Sequence, residues 1–497
     1  VYLKGYFPAG FIRLQIAIRD KLDEFTIYAG TNLQYRFVNP GENPDPRQRN
    51  QYYLQLAEKG LQPTNLFARE GDKKIEKIIF PGALISYRDK EVPVMLLKGN
   101  RAARSDDRLN QSVEGVEFEL ISAIRKLTST KKKKIAIIEG HGELNKIQMA
   151  DITSSLKENF LIERINLPEK ISLNGYDAII VARPDTVFSD YDKYKIDQFI
   201  IKGGKALFFI DAVNVNLDSI GEEGKLVMPY KLDLGDMFFR YGVRLNADLI
   251  QDLNSGVIPL FVGYMGNQPQ TRLVNWRYYL LLNTFSKHPI VKNMDVVYAR
   301  FLGTIDTVKA KGIKKTPLIF TSKYSKILPA PVRVNFNEVR LDVNPRSFNN
   351  GSLPVAYLLE GSFQSLYTHR LALHTENTFE FKEKDKPSKI IICSDGDLIQ
   401  NDVNKKTGHP YPLGYDRFTR RQFANKEFVL NAVDYLLDES GIITLRAKEV
   451  TFRPLDKVKI KEEKLKWQLI NLVVPVILIV LFGVGRNYFR KRKYERS

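Results

Sequence analysis

Apolar residues recur three and four positions apart at Leu14, Ile18, Leu22 and Phe25, which predicts a helix over Phe11–Phe25 behind an apolar strand at Val1–Leu3. A strand follows at Leu33–Val38. The run Pro40–Pro46 (PGENPDP) then breaks the chain before a helix at Arg47–Lys59 and strands near Ile75–Phe80 and Val92–Leu97. Residues 101–112 are polar and charged, an expected linker. Val116–Leu127 reads as an amphipathic helix and Thr128–Lys134 as a basic, solvated hinge.

Beyond the hinge the pattern changes. Apolar strands at Lys134–Glu139, Ile162–Leu167, Asp177–Ala182 and Lys205–Ile210 alternate with helices at about Lys146–Asn159 and Tyr191–Lys202. Strands alternating with helices predict a parallel sheet built by crossovers, so the fold class is α/β. The expected organisation is a small α/β domain over 1–100, a linker and helix over 101–133, and the first part of a flavodoxin-like or amidotransferase-like core over 134–211. A large insertion or second lobe covers 212–387, and the core resumes over 388–447 with strand Lys389–Cys393 and helix Asn425–Leu437. Within the insertion, Leu232–Arg240 reads as a helix, Phe261–Gln270 as a Gly-rich loop, and Trp276–Leu282 and Val297–Leu302 as strands. The βαβα start of the chain is similar to a thioredoxin-like layout. It lacks CxxC, so no redox role follows.

The longest apolar run is at the end. Trp467–Gly485 carries no charge, and only Gln468 and Asn471 are strongly polar. As a helix it spans about 28 Å, enough to cross a bilayer, where Pro475 is tolerated. Trp467 suits one interface and Tyr488 and Phe489 the other. A juxtamembrane linker over 448–466 and a basic tail over 486–497 flank the span. The tail holds six cations in twelve residues, including Arg490, Lys491, Arg492 and Lys493, against five in 455–466. The cluster favours a cytoplasmic tail against anionic lipid, with the preceding mass outside the cytoplasm. That orientation requires a signal or helix before Val1. Without one, the chain is tail-anchored with its bulk in the cytoplasm.

At 497 residues the chain predicts about three domains. One cysteine excludes an intramolecular disulfide and a cysteine zinc cluster, and five histidines leave little room for a histidine-rich metal site. The net charge of +19 favours anionic surfaces. However, the cations are dispersed among acids except at 131–134 and the tail, so nucleic acid is not an expected partner.

Few motifs carry chemistry. Gly140-His141-Gly142 lies between a strand and a helix, where backbone N–H groups can receive an anion, but GHGELN breaks GxGxxG at Asn145. There is no GxxxxGK[ST], so any ATP must be hydrolysed by another subunit. There is no GxSxG, and Cys393 lies on an apolar strand rather than an exposed elbow. Asp395, Asp397 and Asp402 (SDGDLIQND) depart from the EF-hand template at Ile399 and Gln400, and Asp397 reads as a helix cap. Asp211 ends a strand, where such sheets place ligands. Candidate ligand or partner contacts are His141, Asp211, Asn267, Gln268, Asp395 and Asp397. No catalytic, metal or cofactor residue is assigned.

The stretches IAIIEGHGEL (135–144), MGNQPQ (265–270), SDGDLI (394–399) and NKEFVLNAVDYLLDESGIITLRAKEV (425–450), followed by a linker and a terminal membrane helix, resemble the gliding-motility-associated ABC transporter auxiliary proteins (GldG) of Bacteroidota. The resemblance implies an amidotransferase-like accessory fold, anchoring at both ends, a large periplasmic domain at the bacterial inner membrane, and an ABC permease and a separate ATPase as partners. It supplies no established catalytic residues. The expected function is a non-catalytic, substrate-binding-like auxiliary subunit. The alternatives are an amidotransferase-like hydrolase using His141 or Cys393 and a tail-anchored cytoplasmic scaffold.

Overall fold

The continuous apolar runs that follow the basic hinge form the centre of one large sheet. In this computed structural model the described residues are 1–5, 7–70, 73–98, 105–128, 132–221, 223–368, 381–447 and 457–494. Eight strands build the sheet: β1 Lys134–Glu139, β2 Leu161–Asn166, β3 Ala178–Ala182, β4 Lys205–Phe209, β5 Thr284–Phe285, β6 Ile313–Phe320, β7 Pro354–Gly361 and β8 Ser388–Cys393. Their order is β5-β6-β7-β8-β4-β3-β1-β2. The five from β2 to β8 are parallel, whereas β7, β6 and β5 add antiparallel to the β8 edge. The sheet is therefore mixed rather than parallel throughout. The stretch between β4 and β8 is not a separate lobe alone, because it returns three strands to the core.

Alternation along β1 sets the two faces. Ile135 and Ile137 pack with Ile152 and Leu156 of α4 (Ala150–Lys157) and with Phe428, Ala432 and Val433 of α7 (Asn425–Leu437). Ala136 and Ile138 face Ile196, Phe199 and Ile200 of α5 (Asp190–Ile201), and Met237 and Phe238 of α6 (Gly235–Tyr241) share that layer.

The N-terminal region differs from the thioredoxin-like expectation. Its described strands form two antiparallel hairpins, Thr64–Glu70 with Lys73–Ile79 and Gly82–Tyr87 with Lys90–Met95. Only Arg88-Asp89 joins the second pair, with Arg88 at φ +52°, too short a link for a crossover. Val1–Leu3 and Leu33–Val38 form no ladder. They touch where Val38 N–H donates to Val1 O at 2.8 Å. Leu14, Ile18 and Leu22 of α1 (Ala9–Ala29) pack on Val116, Leu120 and Ala123 of α3 (Ser105–Thr128), and α2 (Pro46–Glu58) lies between them along the chain. The expected linker thus enters a helix at Ser105, whose first turn holds Asp106 and Asp107 where the helix dipole favours acids.

The expected Gly-rich loop at Phe261–Gln270 is instead the end of a long hairpin, Ser255–Met265 paired with Gln268–Leu282. A second compact unit, Glu449–Ser497, contains α8 (Lys457–Tyr494). Within it Gln468–Arg490 is 23 residues long and apolar enough to cross a membrane. Trp467, Pro475, Arg490, Lys491, Arg492 and Lys493 all lie on this helix. Part of the expected juxtamembrane linker, from Lys457 on, is helical, as its Lys- and Glu-rich sequence favours. Residues 448–456 lie outside the described chain.

Candidate functional site

The parallel strands β2-β1-β3-β4-β8 follow the doubly wound order that flavodoxin shares, in which ligands bind beyond the strands' C-terminal ends, at the switch point between β1 and β3. The residues leaving those ends are Gly140–Glu143 after β1, Arg183–Asp185 after β3, Asp211 after β4 and Ser394–Asp397 after β8. They form two separate networks.

The first surrounds Arg183, which enters at φ +54°. Its backbone N–H donates to Phe209 O at 2.8 Å, fixing it across β4. Its guanidinium donates from Nε to Asp211 at 2.9 Å, from Nη1 to Gln400 at 2.5 Å, and lies 3.0 Å from Asp397. Gly396 N–H donates to the other oxygen of Asp211 at 2.6 Å. Asp395 is wholly buried and accepts from Arg300 N–H at 2.7 Å and Asp397 N–H at 2.6 Å. Asp395, not Asp397, therefore caps this turn. Burial and the neighbouring Asp397 charge push the Asp211 carboxyl up to about 6 against the pull of Arg183. Burial, with Asp397 and Asp211 nearby, raises Asp395 well above the carboxylate range. Arg300 closes the network by a bidentate pair with Asp402 at 2.8 and 2.9 Å, its guanidinium 5.4 Å from the Tyr279 ring centroid and 5.1 Å from that of Tyr298. Guanidinium groups thus occupy the positions a cation would take against Asp397 and Asp402. Among the described residues no group of three or more His, Cys, Asp or Glu side chains is arranged to hold a metal ion.

The second network holds His141. The ring stacks on Phe188 at 3.7 Å between centroids, with Nε2 3.3 Å from Asp192 and Nδ1 3.3 Å from Glu143. Its carbonyl accepts from Asp185 and Thr186 N–H, which fastens the β1 turn to the β3 turn. Asp192 also accepts from Ser189 and pairs with Lys195 at 2.7 Å. Burial alone would lower the histidine pKa, but the two carboxylates outweigh it and raise it. The turn that could have cradled an anion is closed by its own side chains. Gly142, at φ +73°, lies so close to Asp185 that an added Cβ would meet Oδ1 at 1.6 Å.

Of the residues singled out in the sequence, Asp211, Asp395 and Asp397 come together and His141 stands in its own network. Asn267 is exposed in the hairpin turn, and Gln268 begins the second hairpin strand. Sequence reasoning missed Arg183 and Arg300. Arg183 carried the signal that marked Asp211, a charge directly after an apolar strand, while Arg300 meets its partner 102 residues along the chain. Cys393 is wholly buried, and burial, with Asp395 beside it, pushes its thiol well up. A cleft of about 880 Å³ lies elsewhere, between Lys90–Pro93, the end of α3 and the end of α7, with Arg125 paired to Asp438 at 2.8 Å in its wall. None of the sequence-predicted residues lines it.

Residues 132–432, more than half of the chain, match the family described as ABC-type uncharacterized transport system (ABC_transp_aux). Residues 1–86 match a domain of unknown function, DUF7088. An uncharacterized protein of Borreliella burgdorferi is 23% identical over 395 residues, covering 77% of this chain and 70% of its own length. Among solved structures the mmIFT52 N-terminal domain aligns at 12% identity and a TM-score of 0.34, over 62% of this chain and 99% of that one.

Proposed function

The chain belongs to the ABC-type uncharacterized transport system family, and from that membership we propose that it is a non-catalytic auxiliary subunit of an ABC transporter, working beside a separate permease and ATPase. The family match over the whole central sheet carries the reading. The apolar Gln468–Arg490 helix supports a membrane anchor, with the basic Arg490–Lys493 cluster in the cytoplasm and the large domain in the periplasm. Anchoring raises the effective concentration of the lobe at its partners without a tight interface. The closed networks around Arg183 and His141 and the buried Cys393 thiol support a role without bond-making chemistry and disfavour the hydrolase alternative. The amidotransferase-like ancestry of the core and the association with gliding motility belong to the same proposal and rest on the motif resemblance.

Affinity purification of the tagged full chain from detergent-solubilised membranes tests it. The expected result is recovery of a polytopic ABC membrane subunit and an ABC ATPase, with no nucleotide hydrolysis by the chain alone. Recovery of neither, or ATP turnover by the isolated chain, overturns it.

A further inference from the structure

The hairpin Ser255–Leu282 is built as two different halves. Its root is fixed by Ile258, Trp276, Tyr278 and Tyr279, all buried in an aromatic cluster with Tyr298 and Phe301. Its outer half turns apolar side chains to solvent. Tyr264 is 73% and Met265 75% exposed, and Phe261, Val262 and Leu273 are exposed with them. A register shift between Phe261 and Gly263 puts Phe261 and Tyr264 in contact, ring centroids 5.1 Å apart. Leu253–Thr271 contains no charged residue over 19 positions, in a chain that is 27% charged. The only other uncharged stretch of that length is Trp467–Gly485, in the candidate membrane helix.

Three observations narrow what covers this finger. Its tip, Phe261–Thr271, is neutral on a chain of net charge +19, and Arg272, opposite Leu260, is the single charge on the outer half, so the finger is not built for an extended anionic partner surface. Among the described residues no strand pairs with either outer edge of the ribbon along Leu260–Met265 and Gln268–Leu273. Those open backbone groups disfavour the lipid interior, which tolerates no free sheet edge. Pro259, Pro269 and the register shift between Phe261 and Gly263 interrupt these edges, which disfavours edge-to-edge pairing with a second copy. What remains is a largely apolar protein surface that meets aromatic and methionine side chains at the tip, the composition of interface cores, with Arg272 at its rim.

We infer that this hairpin is the docking finger through which the chain engages the membrane-spanning subunit of its transport system. The choice of partner rests on the function proposed above.

The test places the photo-crosslinker p-benzoylphenylalanine at Tyr264 or Met265 of the full chain in native membranes, with the exposed Ile147 as control position. The expected result is an adduct from 264 and 265, but not from 147, with a protein identified as a polytopic ABC membrane subunit. A companion Tyr264→Ser, Met265→Ser variant should keep the wild-type melting temperature, because both side chains are exposed, and recover that subunit at least tenfold less. Adducts only with lipid or with a second copy, or no adduct while the subunit still co-purifies, overturn the finger and leave the transporter reading standing. Failure to recover any ABC subunit with the unmodified chain overturns both.

Discussion

Arg183 Nε donates to Asp211 at 2.9 Å while its Nη1 lies 3.0 Å from Asp397, so one half-buried guanidinium ties together the C-terminal ends of β3, β4 and β8. Removing it leaves two carboxylates facing each other without a counter-charge. Arg183→Met should lower unfolding free energy by about 2–4 kcal/mol, less than the roughly 3–5 kcal/mol of a fully buried pair broken from one side, because the guanidinium keeps some contact with water. Arg183→Lys keeps the charge but cannot reach all three acceptors, and should lose less. Urea unfolding followed by tryptophan fluorescence reads both. Equal midpoints for Arg183→Met and the parent would show that the network contributes nothing.

Asp211 gives that network a pH dependence. Its folded value near 6 lies above the ordinary aspartate value of about 3.9, so the folded state holds the proton more tightly. The associated stabilisation is complete below about pH 4 and is lost as pH rises through 6. Asp211→Asn should flatten stability between these limits while still accepting from Gly396 N–H. A variant curve parallel to the parent over pH 4–6 would contradict this.

His141 acts in the next window. Its raised pKa means that its contribution is fully present below about pH 6.5 and lost as pH rises through the folded value. His141→Gln should remove that decline and lower stability most on the acidic side. Unfolding midpoints from pH 5.5 to 8.5 check the sign. A larger loss at pH 8.5 than at 5.5 would reverse it.

The parallel half of the sheet was legible because Ile135–Ile138, Ala178–Ala182 and Ile390–Cys393 are buried on both faces and read as unbroken apolar runs. The antiparallel half was only partly legible: Val355–Leu359 of β7 is an apolar run, but nothing local shows that it pairs with β6, from which a long irregular stretch separates it and whose ladder carries two register shifts. The extent of helix α5 follows from its sequence to within one residue at each end, but its setting does not. Its polar Asp192, Lys195 and Asp197 are buried, with Lys195 donating to Leu167 and Lys170 carbonyls and Asp197 accepting from Tyr241 and Ser365. Local sequence cannot report partners that arrive from 168 residues away. The hairpin finger reads as loop in the sequence because Gly263, Gly266 and Pro269 signal breaks, whereas in the fold they shape a bulged ribbon and its turn. Of the candidate site, the strand-end acids were visible, but the arginines that close it were not.

Gly142 separates two costs. At φ +73°, alanine pays the left-handed penalty of about 1–2 kcal/mol and its Cβ strikes Asp185 Oδ1. Asp185 is exposed and can swing aside, so most of the loss should persist in Gly142→Ala, Asp185→Ala. A double-mutant cycle from urea midpoints measures the remainder. Full rescue by Asp185→Ala would show that the clash, not the backbone, sets the cost.

Cys393 offers a probe of the whole core. Its thiol lies on β8 between β7 and β4, wholly buried, and burial beside Asp395 keeps it protonated far above its ordinary range. Only the thiolate reacts, so modification requires the sheet to open. At pH 8 the folded chain should resist a thiol reagent such as dithionitrobenzoate, and reactivity should appear in urea at the midpoint reported by tryptophan fluorescence. Arg183→Met, which loosens the ends of β4 and β8, should accelerate labelling in buffer by the factor that its loss of stability dictates, about tenfold per 1.4 kcal/mol when opening is global. Rapid labelling of the unperturbed chain in buffer would mean that β8 opens locally, and would reinstate Cys393 as a reactive group.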